Sequence, residues 1–278
     1  MSGAGSDHPL APAHAARFAS IYCETGAHSM RSRQEIEFLK GAEWRQMSPP
    51  LRQAYIERAF HYWRERGFPY YLLDEDQIRR QFQQLVATRS RQMFLPDAEI
   101  QWSNVGLALA NYFHPQMWSI KSDTYLSPIE CFKDDKLLKA CIQRALEIWP
   151  DRYGANPSNL RRMLCSFTNT KRVSNFRPTV AKAIYERYST QWSRVLDFCA
   201  GFGGRLLGCL ALERHYVGYE PSHSQFHGLQ RMYNTIHDLG LTSCDVDLQL
   251  TCAEDAMCKE ASRSFDLVFT PDVTLAKI

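Results

Sequence analysis

The sequence has no apolar run long enough to cross a bilayer, so no membrane-spanning helix is expected. Its N-terminus has no basic segment leading into an apolar core. Met1 to Ala16 is a mixture of Gly, Ala, Ser, Pro and His, so residues 1–30 read as a disordered tail rather than a signal peptide. Paired cysteines are missing too. The nine cysteines, Cys23, Cys131, Cys141, Cys165, Cys199, Cys209, Cys244, Cys252 and Cys258, are odd in number and no two are separated by two residues. That pattern suits reduced, mostly buried thiols in a cytoplasmic protein. No metal site is expected. His223 and His227 stand four apart on a predicted helix, but no glutamate lies beside His223 and no third ligand is evident. The formal net charge of +3 is too small to name a partner.

What is present is ordinary for a soluble globular chain, with 45% hydrophobic and 23% charged residues. A length of 278 residues holds one large or two small domains. Residues 31–173 read as mainly helical, with an unusually aromatic stretch to about Ser119. Leu51, Ala54, Tyr55, Ala59, Tyr62 and Trp63 recur at helical spacing, and Gly67-Phe68-Pro69 ends that helix. Asp74 and Gln77 form a capping signal for a second helix with the buried stripe Ile78, Phe82, Leu85 and Val86. Pro128 opens a third, running through Leu137, Leu138, Cys141, Ile142 and Leu146 to Trp149-Pro150.

Residues 133–187 carry twelve basic and five acidic residues, while the rest of the chain is net acidic. Two readings stand open: a phosphate-binding surface, or solvated helix faces that lean basic. Arg161-Arg162 and Lys171-Arg172 flank the polar loop Thr168-Asn169-Thr170 and are the candidate nucleic-acid contacts.

From Arg194 the pattern changes to strand, helix, strand. Strands are predicted at 195–199, 216–219, 248–252 and 265–269, and helices at 205–212 and from Ser222 to about Leu239. Such alternation implies parallel strands joined by crossovers. Between the first strand and its helix lies Ala200-Gly201-Phe202-Gly203-Gly204. Glycine there lets a ligand approach the backbone. Glu220 ends the second strand, where an acid can accept both hydroxyls of a ribose. The loop departs from the dinucleotide fingerprint, because its third glycine would fall at Leu206.

Val195 to Gly204 resembles the first motif of class I methyltransferases, and is closest to the bacterial and phage DNA amino-methyltransferases. Phe176-Arg177-Pro178-Thr179 resembles the segment that closes over the methionine part of their cofactor. Tyr219-Glu220-Pro221 resembles the second motif and Cys252-Ala253-Glu254-Asp255 the third, whose acid meets the adenine amino group. Gly67-Phe68-Pro69-Tyr70-Tyr71 looks, less specifically, like the N-terminal part of such methylases. The resemblance implies a Rossmann-like α/β methyltransferase domain over 174–278 with S-adenosylmethionine as cofactor and DNA as partner. It assigns cofactor roles to Phe176, Pro178, Asp197, Gly201, Gly203, Glu220 and Asp255.

The catalytic motif departs from the family. After the fourth strand the family has Asp, Asn or Ser, two prolines and an aromatic that stacks on a base rotated out of its duplex. Here the chain reads Thr270-Pro271-Asp272-Val273, so Thr270 and Pro271 are the catalytic candidates. A complete domain of this class has seven strands, and four are predicted here. A truncated methylase is therefore expected ahead of one half of a split enzyme, completed by a second chain, or a cofactor binder without catalysis. RNA or protein as substrate, and a non-catalytic nucleic-acid-binding remnant, are the alternative readings.

Overall fold

The computed structural model describes residues 36–96, 99–121, 124–149, 151–166, 169–257 and 265–269. Helix α1 (Gly41–Gln46) is short. It leads into α2 (Pro49–Arg66), which starts on two prolines and ends at Gly67, whose φ of 79° closes the last turn. The predicted aromatic stripe is buried from Tyr55 to Trp63, but Leu51 lies in the first turn and is exposed.

Helix α3 (Glu75–Ala87) carries the predicted capping box, with Asp74 Oδ1 accepting from the Gln77 amide at 2.7 Å and Gln77 Oε1 from the Asp74 amide at 3.0 Å. Ile78, Phe82 and Leu85 are buried. Val86 is exposed, because it sits about 100° around the helix from Leu85.

Helix α4 (Leu107–Tyr112) follows Gly106. The third predicted helix is two: α5 (Pro128–Lys133) and α6 (Asp135–Ile148). Asp134 breaks it, since its extended backbone stops α5 while its carboxylate accepts from the Leu137 amide and starts α6 anew. Helices α7 (Pro157–Ser166) and α8 (Pro178–Tyr188) complete the helical part.

Strand β1 (Arg194–Asp197), helix α9 (Gly204–Leu210), strand β2 (His215–Tyr219), helix α10 (His223–Asp238), strand β3 (Val246–Gln249), helix α11 (Ala253–Met257) and strand β4 (Leu267–Val268) follow in that order. Among the described residues they form a four-stranded, all-parallel sheet of order β3-β2-β1-β4, an α/β arrangement of the Rossmann-like kind. β3 begins two residues before its prediction. Its register with β2, Tyr216 opposite Val246 through Tyr219 opposite Gln249, makes both strands end together. Asp247 and Gln249 alternate with the apolar positions and hid this start from a search for an apolar run.

The side-chain period of two splits the sheet between two cores. Val195 and Tyr216 face a layer with Ala181, Tyr185, Leu206, Leu210, Leu229 and Met232. Ile78, Phe82, Leu85, Leu109 and Phe113 of the N-terminal helices belong to that same cluster. Leu196, Val217 and Tyr219 face the other way, toward Ala256, Phe198 and Phe265. Residues from Glu37 onward make one unit, in which α3, α4 and α8 share a core with the sheet. Helices α8 and α9 approach closely because Gly204 and Gly208, four apart, lack side chains. A Cβ on Gly208 would lie 2.7 Å from that of Ala181.

Candidate functional site

The strand order reverses at β1, which has β2 on one side and β4 on the other. Ligands of open parallel sheets bind outside the carboxyl ends of the strands at such a point. The loop 198–203 lies there, and its glycines do different work. Gly201 has φ 60°, and a Cβ there would meet only the Cys199 carbonyl oxygen, at 3.6 Å. Gly203 has φ 76°, but a Cβ there would lie 2.6 Å from Met232 Cε. Gly204 admits no Cβ at all, because the Phe176 carbonyl occupies its place. Open space therefore adjoins Gly201, whereas Gly203 and Gly204 are glycine because protein packs against them.

Glu220 ties the loop to the end of β2. Its Oε2 accepts from the Gly201 amide at 2.8 Å and its Oε1 from the Ser222 amide at 2.9 Å. The residue is 5% exposed. Burial raises its pKa above the usual carboxylate range, and the two amides offset only part of that rise. A carboxylate offers about four acceptor positions, so one amide on each oxygen leaves each with a position to spare.

Asp197 behaves differently. It is fully buried. Its carboxylate accepts from Arg205 Nε at 2.6 Å, Arg205 Nη2 at 3.2 Å, the Tyr216 hydroxyl at 2.6 Å and the Cys199 amide at 3.1 Å. Arg205 also donates to the Cys199 carbonyl. Burial works against the Arg205 charge, but the charge and hydrogen bonds of Asp197 outweigh it and raise the guanidinium pKa. The pair thus fixes both ends of the loop. Strand alternation puts Asp197 on the Val195 face, where α9 presents Arg205.

Pro178 opens α8 and is buried. Phe176 packs edge-to-face on Phe269, with centroids 5.7 Å apart, and lies under the Arg205 guanidinium at 5.5 Å. The structure therefore brings Phe176, Asp197, Gly201, Gly203 and Glu220 around one loop. Asp255, in the first turn of α11, is exposed and accepts from the Cys252 thiol. Thr270 and Pro271 lie outside the described residues, as does the predicted tail 1–30.

Three residues of this region escaped sequence reasoning. Asn175 donates to Asn111 Oδ1 and the Phe202 carbonyl and accepts from the Gly204 amide. Arg205 was legible as a lone charge in an otherwise apolar helix. His114 is completely buried, edge-to-face with Phe202 at 5.5 Å, and its Nε2 has no partner. Burial pushes its pKa down to about 3.

The four candidate nucleic-acid residues divide. Arg161 donates to the Pro69 carbonyl at 2.7 Å and stacks 3.9 Å over the Tyr71 ring. It holds the 67–71 turn. Arg162, Lys171 and Arg172 are exposed. Elsewhere in the basic stretch, Lys182 donates to the Val86 and Thr88 carbonyls at the end of α3, and Lys139 pairs with Glu57 at 2.7 Å. Seven described cysteines are free thiols, four of them buried. Among the described residues no His, Cys, Asp and Glu group could hold a metal ion, and no helix is long and apolar enough to cross a membrane.

No protein-family model, curated protein or solved structure matches this chain significantly.

Proposed function

We propose that this chain is an S-adenosylmethionine-dependent methyltransferase acting on an amino group of a DNA base. The observation that carries the reading is the hydrogen bond between Glu220 and the Gly201 amide. It joins the glycine loop after β1 to the acid after β2 and leaves carboxylate acceptors beside open backbone. That arrangement fits a ribose whose two hydroxyls donate to Glu220 while the rest of the nucleoside passes Gly201. The dinucleotide alternative fits less well. Leu206 stands at the third glycine of that fingerprint and is fully buried in the core, where a helix drawn close to the strand requires glycine.

The cofactor, when bound, supplies an electrophilic methyl group. The chain's part is to hold and orient. Glu220 accepts from the ribose, Gly201 and Phe202 present backbone, and the Phe176–Phe269 pair walls the end of β4. Asp197 acts one step removed, by pinning Arg205 and the loop. Asp255 is placed after β3 by sequence order and is available to an exocyclic amine. Equilibrium dialysis against labelled S-adenosylmethionine and, separately, against NAD tests the reading. Retention of the sulfonium compound alone is expected, and retention of NAD alone refutes it.

A further inference from the structure

Beside the proposed cofactor loop, the segment 171–177 reads Lys-Arg-Val-Ser-Asn-Phe-Arg, with three cations and no acid. It runs from the exposed Lys171-Arg172 pair to the start of α8 next to Phe176, a reach of at most about 25 Å. Two exposed aromatic rings stand along it, each against one of its cations. Lys171 Nζ lies 5.4 Å from the centroid of Tyr125, which is 38% exposed, and the Arg177 guanidinium lies 3.9 Å over Trp102, which is 56% exposed.

Both rings are fixed by backbone. Leu126 donates to the Asn169 carbonyl and accepts from the Lys171 amide, each at 3.1 Å, which sets Tyr125 beside Lys171. The buried Thr179 hydroxyl donates to the Ser103 carbonyl at 3.0 Å and ties the Trp102 segment to the first turn of α8. Arg177 Nε is buried without a partner, although the same guanidinium lies against an exposed indole.

We propose that Tyr125, Lys171, Arg172, Arg177 and Trp102 form a track for a single-stranded nucleic acid, with bases stacked on the two rings and phosphates on the cations. Alternation of flat rings and cations is what a single strand needs. Every base has a stacking face and every link a charge. A duplex hides its bases, and an acidic peptide has no use for the rings. The track leads toward the glycine loop, so it carries a strand to the site proposed above. It rests on that reading for its substrate, but its test needs no cofactor.

Anisotropy titrations of the full chain with a fluorescein-labelled oligodeoxynucleotide, its abasic counterpart, the matching RNA and the duplex read it directly. The base-bearing single strand is expected to bind more tightly than the abasic strand and the duplex. Trp102→Ala with Tyr125→Ala should remove that preference, with a loss of about tenfold or more. Trp102→Phe with Tyr125→Phe should retain it. Lys171→Ala with Arg172→Ala should flatten the salt dependence. The RNA arm reports which sugar is preferred. Wild-type binding and an undiminished preference in the folded double-alanine variant overturn the track, as does displacement by an acidic peptide as efficient as by the strand. Failure of the chain to bind S-adenosylmethionine overturns the cofactor reading and leaves this result standing.

Discussion

The glycine loop and the basic stretch were both conspicuous in the sequence, and the fold treats them in opposite ways. Motif residues spread from Phe176 to Glu220 converge on one loop, because parallel strands joined by crossovers bring their carboxyl ends together. The twelve cations of residues 133–187 disperse. Lys182 caps α3, Arg161 clamps the 67–71 turn, Lys139 pairs with Glu57, and only part of the excess faces solvent. Spacing tied to topology therefore gathered the motif residues around one loop, while a count of charge left exposed cations such as Arg162, Lys171 and Arg172 only after structural uses were subtracted.

The strongest way to break the convergence is to remove its anchor. Asp197→Ala leaves Arg205 buried without its partner and should cost about 3–5 kcal/mol, read as a fall in the chemical denaturation midpoint. A change below about 1 kcal/mol means that Asp197 does not hold the loop.

The next effect is proton-linked. His114 has its folded pKa lowered to about 3 from 6.5 by burial. Below pH 6.5 the unfolded chain binds a proton that the folded chain refuses, so stability falls with pH until the folded group titrates. Across that window the loss is on the order of 4 kcal/mol. His114→Asn should be less stable at neutral pH yet show a shallower acid slope by one proton. An unchanged slope removes His114 as its source.

The smallest effects sharpen the contrast within the basic stretch. Arg161→Ala should destabilise by about 1–3 kcal/mol, since a part-buried guanidinium leaves carbonyl and ring unpartnered. Arg172→Ala should stay within about 0.5 kcal/mol while weakening nucleic-acid binding. Thermal melts and salt titrations of the two variants separate these roles, and equal melts contradict the division.

Much of this was legible before the fold was seen. Asp74–Gln77 announced α3, Gly67 ended α2, and the alternation after Arg194 announced a parallel sheet. The misses have local causes. The sequence did not reveal that Asp134 serves α6 as a cap, nor that Asp247 and Gln249 belong to a strand whose limits are set by β2. The roles of Gly203 and Gly204 were illegible for a different reason. A glycine demanded by Met232 or by the Phe176 carbonyl looks, in sequence, the same as one that makes room for a ligand. Asn175 gave no signal because its partners lie far away along the chain, and neither did the packing of the His114 ring on the distant Phe202.

The central claim is that Glu220 and the open backbone at Gly201 form a nucleoside site. Calorimetric titration of the full chain and of Glu220→Ala with S-adenosylhomocysteine tests it most directly. The wild-type chain should bind at a single site, and the substitution should weaken binding by about 1–3 kcal/mol through the lost charge-assisted bonds. A folded wild-type chain that releases no heat, or a Glu220→Ala chain that binds equally well, contradicts it.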